Sequence, residues 1–295
     1  MIEVENLRKE YGGFTAVEGS SFSVPEGEVF GVIGPNGAGK TTTLKMLSGL
    51  VEPSSGSARV AGYDAQDPEM RKHLGFLPEE SPLYEDMTAV SYLRFFADLY
   101  DVSSEAADSR IHDTLDRLEL DHRDRKIGDM SKGMTRKVAI ARSLVNDPDV
   151  LIYDEPASGL DPLTTNYIIE FTRELAESGK TVVFSAHNLF HVESICDRVA
   201  VMNDGRIVAR GSVETIREEH GRTEYRVYTT VEVPDAVREN GRFRRTVESM
   251  DAVEQTRELA EEAGGEVADI ETHTPSLEDI FLDLADDSPD VEGRP

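Results

Sequence analysis

The run Gly34-Pro35-Asn36-Gly37-Ala38-Gly39-Lys40-Thr41-Thr42 fits the pattern G-x-x-x-x-G-K-[ST]. Glycines at this spacing let successive backbone N–H groups point into one concavity, which with a helix N-terminus behind it holds phosphate. Lys40 is then placed to reach β- and γ-phosphate oxygens, and the Thr41 hydroxyl to ligate Mg²⁺. A second cluster, Val150-Leu-Ile-Tyr-Asp154-Glu155, is four apolar residues ending in adjacent acids. Neighbouring carboxylates repel one another without a cation. At the end of a buried strand they read as a Mg²⁺ ligand, Asp154, held directly or through water, and a group polarising an attacking water, Glu155. The two clusters together imply a site for a nucleoside triphosphate and its hydrolysis.

The elements around them fit this task. Strand Glu28–Ile33 precedes the glycine run and helix Thr41–Leu50 follows it, with Leu44, Leu47 and Leu50 on one stripe. Strands Ile2–Leu7 and Ala16–Val24 are expected before it. Residues 83–143 are mostly helical, with apolar spacing in Leu93–Tyr100 and Ile111–Leu120. Val150–Tyr153 and Thr181–Phe184 are near-continuous apolar runs, suited to parallel strands covered on both faces, and helix Pro162–Ser178 makes the crossover between them. Val199–Met202 and Arg206–Ala209 form a hairpin through Asn203-Asp-Gly205. The character changes near Gly221. Strand Glu224–Val233, helix Asp251–Ala263, strand Val267–Thr272 and helix Ser276–Leu284 make a small α+β accessory domain over 221–285, and 286–295 is a polar, disordered tail.

Composition limits the partners. The net charge is −27, from 58 acidic and 31 basic residues, and only 8 of the basic residues are Lys. Such a chain is repelled by phosphate backbones, so nucleic-acid binding through a basic face is not expected. Acidity spread over the chain with little Lys suits solvation in molar salt, as in a halophile; an ordinary acidic cytosolic protein is the alternative. Cys196 is the sole cysteine, which excludes an internal disulfide and reads as a buried, inert thiol. No apolar run approaches the roughly 18 residues that cross a bilayer, and the charged N-terminus is unlike a signal peptide. A cytoplasmic location is expected, with any membrane role supplied by a partner.

Between the two clusters, Met130-Ser131-Lys132-Gly133-Met134 and the following Thr-Arg-Lys-Val-Ala-Ile-Ala-Arg-Ser-Leu resemble the signature segment of ABC transporter ATPases, usually Leu-Ser-Gly-Gly-Gln. Ser131 and Gly133 match, while Lys132 and Met134 depart as in the branch serving ABC-2-like exporter permeases. Taken singly, Ser131 reads as a helix cap. In the family this helix start completes the site of a second subunit, so that two ATP molecules are sandwiched in a head-to-tail dimer. Ser158-Gly159-Leu160-Asp161 matches the segment that communicates across that dimer. Phe184-Ser-Ala-His187 resembles the strand that ends in a switch histidine contacting the γ-phosphate. His191 lies four residues on, but without a third ligand the pair is not expected to bind metal. Tyr11 is placed like the aromatic that stacks on adenine, a packed strand tyrosine being the alternative. Glu79, in Leu77-Pro78-Glu79-Glu80, stands where the family usually has a glutamine that ligates Mg²⁺ or its water. The segment Thr274-Pro-Ser-Leu-Glu-Asp-Ile-Phe281 is similar to the close of ATPases that serve separate exporter permeases.

The resemblance implies a P-loop α/β ATPase over 1–220: a RecA-like parallel-sheet core, an antiparallel β lobe and a helical lobe over about 80–145. It implies Mg²⁺–ATP as the nucleotide and closure of two subunits on ATP. It further implies transfer of that motion through the surface near Glu79–Tyr100 to a separate permease, most readily an exporter, at the inner face of the membrane. The rival reading is a soluble ATPase of the same family acting on ribosomes or in DNA repair. Those members carry a second such domain or long insertions, and neither is found here. A non-enzymatic regulatory subunit is opposed by the set Lys40, Asp154, Glu155 and His187.

Overall fold

A computed structural model of the chain describes residues 1–280 other than His187, Arg222 and Thr274. The chain divides into two compact units, Met1–Val213 and Glu214–Pro295.

In the first unit, β1 (Ile2–Tyr11) and β2 (Phe14–Val24) form an antiparallel hairpin, longer than the short strands expected. The fully buried β3 (Val29–Ile33) follows and runs into the glycine loop and α1 (Lys40–Leu47). Two strands without a clear sequence signal, β4 (Ser55–Val60) and β5 (Tyr63–Asp64), complete a sheet ordered β2-β1-β4-β5. A 3-10 turn, Pro68–His73, leads to β6 (Leu74–Leu77).

The helical region is α2 (Ala89–Leu99), α3 (Ser104–Arg117) and α4 (Lys132–Leu144), each packing on the other two. Side-chain oxygens of Thr88, Ser103 and Ser131 cap their N-termini, each accepting an otherwise orphaned backbone N–H. Then come β7 (Val150–Tyr153), α5 (Pro162–Glu177), β8 (Thr181–Ala186), α6 (Leu189–Ile195), and the hairpin β9 (Arg198–Asn203) and β10 (Arg206–Gly211).

The central sheet is ordered β10-β9-β3-β8-β7-β6. It is parallel except for the antiparallel edge strand β10. Strands β3, β8 and β7 are buried throughout because helices cover both faces: α1 contacts β7 and β8, and α5 and α6 lie against β8. Phe30, Val32, Val150, Ile152 and Val183 share one core with Leu44, Met46 and Leu47 of α1 and the β1–β2 sheet. Cys196 follows α6 rather than lying inside it; burial pushes its thiol well up, and it packs on Gly31. In an open parallel sheet, ligands bind beyond the carboxyl ends of the strands. Here the ends of β3, β8, β7 and β6, adjacent in that order, lead to Gly34, residue 187, Asp154 and Pro78.

The second unit opens with α7 (Val213–His220). Its antiparallel sheet is ordered β12-β13-β11-β14, from β11 (Glu224–Thr229), β12 (Val237–Glu239), β13 (Arg242–Val247) and β14 (Val267–His273). Helix α8 (Met250–Glu262), capped by Ser249, packs on β11, β13 and β14. The expected strand Glu224–Val233 ends at Thr229, and β12 and β13 were not anticipated. The expected helix from Ser276 is seen over 277–280; Phe281 and the tail from 286 lie outside the described residues.

Candidate functional site

The glycine loop is pressed against the backbone of its neighbours. A Cβ on Gly34 would lie 2.3 Å from the Met202 carbonyl oxygen, and one on Gly39 would lie 2.5 Å from that of Ala16. Gly39 also has φ +99°, in the region that favours glycine, and it leads directly into α1. Any side chain at either position would push the cradle off the sheet. Pro35, Asn36, Gly37 and Ala38 form the rest of the loop, and Lys40, Thr41 and Thr42 are the first turn of α1.

Lys40 is buried, and its Nζ donates to the carbonyl oxygens of Gly34 (2.7 Å) and Pro35 (3.1 Å). Burial lowers its pKa, and the charges of Glu155, Asp154 and Glu79 oppose that shift. The lysine therefore sits in the field of the acids singled out from β7 and from the loop after β6. Asp154 is 1% exposed. Its Oδ1 accepts from Thr41 Oγ1 (3.1 Å) and from Ser185 Oγ (2.6 Å). Ser185 Oγ in turn accepts the Glu155 N–H (2.9 Å). Glu155 holds a left-handed backbone, φ +48°, which for a non-glycine residue costs on the order of 1–3 kcal/mol and persists only where surroundings impose it. The next segment lines a cavity with Glu155, Ser158, Leu160, Phe184 and His191.

Two contributors went unnoticed in the sequence. Ser185 orients both acids; a hydroxyl near the end of an otherwise apolar strand was the available signal. Arg136, 8% exposed, donates to the backbone carbonyls flanking both acidic loops. Its helical neighbours Ile140 and Ser143 are buried, so its position on the inner face of α4 was the clue.

The remaining residues lie apart from this cluster. Ser131 caps α4, its Oγ accepting the Met134 N–H (3.3 Å). A Cβ on Gly133 would meet Thr164 Cγ2 at 3.2 Å, and one on Gly159 would meet Lys132 Nζ at 2.3 Å. The start of α4 thus abuts the Gly159 turn and the start of α5. Asp161 caps α5, accepting from Thr164 N–H (3.1 Å) and Oγ1 (2.7 Å), and the Thr164 hydroxyl holds its carboxyl below the usual range. Tyr11 is 47% exposed at the end of β1 rather than packed, with Lys9 Nζ 5.0 Å from its ring centroid. Among the described residues, none of Ser131, Gly133, Asp161 and Tyr11 hydrogen-bonds to the glycine loop. His187 lies outside the described residues.

The donor set suits Mg²⁺. A hydroxyl and a carboxylate, both hard oxygen donors, are already linked beside the lysine. Magnesium typically takes one or two such protein ligands and completes its shell with water and phosphate oxygens. Among the described residues there is no group of three or more His, Cys, Asp or Glu that could hold a metal ion.

Residues 17–158 match the ABC transporter family. The chain is 40% identical over 220 residues to Nod factor export ATP-binding protein I of Burkholderia orbicola, covering 74% of this chain and 72% of that one. It is 36% identical over 284 residues to an ABC transporter ATP-binding protein of Methanocaldococcus jannaschii, covering 96% and 98%, so that likeness includes the second unit. Its fold matches a dimeric ATP-binding cassette in a post-hydrolysis state with ADP and Pi, at TM-score 0.66 and 26% identity, covering 72% of this chain and 98% of that one. With the phosphate cradle, the paired acids and these likenesses in hand, the chain belongs to the ABC transporter ATP-binding proteins and is an ATPase that works with Mg²⁺–ATP.

Proposed function

We propose that two copies of this chain close over two ATP molecules and that hydrolysis reopens them, driving export through a separate permease at the inner face of the membrane. The observation that carries the reading is the convergence of Lys40, Thr41, Asp154 and Glu155 at adjacent strand ends, with Thr41 and Asp154 already in hydrogen-bond contact. Export is supported by the likeness to the Nod factor export protein and by the Lys132–Met134 variant of the signature. No helix among the described residues is long and apolar enough to cross a membrane.

In this reading the N–H groups of residues 34–42 and Lys40 bind the β- and γ-phosphates, and Tyr11 stacks on the base. Thr41 and Asp154, with Glu79 close by, hold Mg²⁺, which when bound neutralises charge on the β- and γ-phosphate oxygens. Glu155 orients a water and accepts its proton as the water oxygen bonds to the γ-phosphorus, while the bond to the bridging oxygen breaks and ADP leaves. His187 contacts the γ-phosphate. Ser131 and Gly133 of the second copy approach it from the opposite side, their helix N-terminus directed at its charge, and Asp161 relays between the copies. ATP favours the closed pair only by binding it more tightly than the open subunits.

Replacing Glu155 with Gln is expected to lower ATP turnover at least about 100-fold while leaving ATP affinity within about threefold, since the amide keeps the shape but cannot take a proton. The same variant is expected to run as a dimer with ATP in light-scattering chromatography. Turnover near the parent value, or a monomer at saturating ATP in both proteins, would remove the proposal.

A further inference from the structure

The parallel pairing of β6 with β7 ends at Leu77 and Tyr153, and its last ladder bond is Asp154 N–H to Leu77 O (2.8 Å). Beyond that point both chains turn into loops that carry the acids, and their carbonyls have no strand partner. Arg136 supplies one. Its Nε donates to Pro156 O (2.7 Å), and its Nη2 to Glu155 O (2.7 Å) and Asp154 O (3.2 Å). Its Nη1 donates to Pro78 O (2.8 Å) and Glu79 O (2.9 Å), with a longer contact to Ser81 Oγ (3.5 Å). A guanidinium has five N–H bonds in a rigid plane, and here five carbonyls receive them.

A buried cation surrounded by neutral acceptors is costly unless every donor is satisfied, and burial pushes the Arg136 pKa down to about 10, leaving it charged at neutral pH. Such an arrangement does little for stability that apolar packing could not do better. Its effect is geometric: it fixes the peptide on either side of Glu155, whose left-handed φ needs an external constraint. Arg136 also stands in the second turn of the helix that Ser131 caps, so one helix joins that cap to both acidic loops.

We propose that Arg136 is a positioning residue for hydrolysis: by joining the Asp154–Pro156 carbonyls to those of Pro78 and Glu79, it aims the Glu155 carboxylate and couples it to the loop bearing Glu79. This rests on the reading of Glu155 as the proton acceptor.

The test uses the full chain with Arg136→Lys, Arg136→Gln, Glu155→Gln and the double variant Arg136→Lys/Glu155→Gln. Lysine keeps the charge but offers three donors from one point, which cannot span five carbonyls. The expected result is a folded Arg136→Lys protein by thermal melting, kcat lower by about tenfold or more, and ATP affinity within about threefold. In the Glu155→Gln background the same change should lower residual turnover less than about twofold, because its target is already gone. Turnover of Arg136→Lys within about twofold of the parent overturns the assignment, as does an equal loss of kcat and ATP affinity. Failure of both Arg136→Lys and Arg136→Gln to fold would assign the residue to structure and also overturn it. If Glu155→Gln itself retains full turnover, the reading beneath has failed; if it collapses while Arg136→Lys does not, only the Arg136 assignment has.

Discussion

In the nucleotide-binding unit the buried polar side chains include three ionisable ones, Lys40, Arg136 and Asp154. In the second unit the buried polar side chains among the described residues are Thr229 and Thr256, each satisfied by a nearby backbone carbonyl, Val231 O and Ala252 O, both at 2.7 Å. The arginines there that form ion pairs stay partly exposed, as in Arg244–Glu239 (3.2 Å) and Arg257–Glu254 (3.5 Å). Desolvating an ion costs several kcal/mol even after relaxation, so a fold that needs only stability leaves its charges in water. The first unit accepts that cost at the carboxyl ends of four strands and offsets it with a large apolar core. The second rests on Val227, Val247 and Val253 with a few partly covered neighbours. The contrast teaches that buried charge, more than burial as such, sets apart the unit that carries the candidate site.

Three measurements would break or sharpen this contrast. The largest effect is expected from Gly39→Ala, which places a methyl group 2.5 Å from the Ala16 carbonyl at a φ that L residues rarely adopt. A loss of about 3 kcal/mol from the first unit and at least a tenfold fall in ATP affinity are expected from overlap and strain together. Calorimetry should show no change in a transition belonging to the second unit. ATP affinity within twofold of the parent would mean that the cradle is not braced as described.

Next in size is Val227→Ala, which removes two methyl groups from the small core of the second unit. It should cost about 2 kcal/mol there, with kcat unchanged. A fall in turnover would make the two units energetically one and dissolve the comparison. The smallest effect is expected from Arg244→Ala, which breaks a partly exposed ion pair and should shift stability by no more than about 0.5 kcal/mol. A loss above 2 kcal/mol would show that charge in this unit is structural after all.

Much of the first unit was legible because its elements announce themselves. The glycine loop has a fixed spacing, β7 is an unbroken apolar run that leads into two acids, and β8 is apolar between Thr181 and Ser185. The β9–β10 hairpin turns through Asp204 and Gly205, both at positive φ. The strands that escaped were marked less plainly. β5 is two residues long, β6 includes Gly75, and β13 reads Arg-Phe-Arg-Arg-Thr-Val, whose charges mask any alternation. The Asn240-Gly241 turn between β12 and β13, again both at positive φ, is a hairpin signal that outweighs those charges. The signals at Arg136 and Ser185 were faint for a deeper reason. A helix arginine and a strand serine are ordinary locally, and only the tertiary meeting of α4, β6, β7 and β8 gives them carbonyls and a carboxylate to serve.

The backbone at Glu155 has a consequence for anyone trying to harden this protein. Glu155 is held at φ +48° against its own preference, so with the role proposed for it folding and turnover pull in opposite directions there. Selection for heat resistance alone would therefore be drawn to this position, since glycine adopts the angle freely. On the role proposed for Glu155, the survivors would be sturdy proteins that bind nucleotide and no longer spend it, so any such screen has to be run with turnover as a second gate.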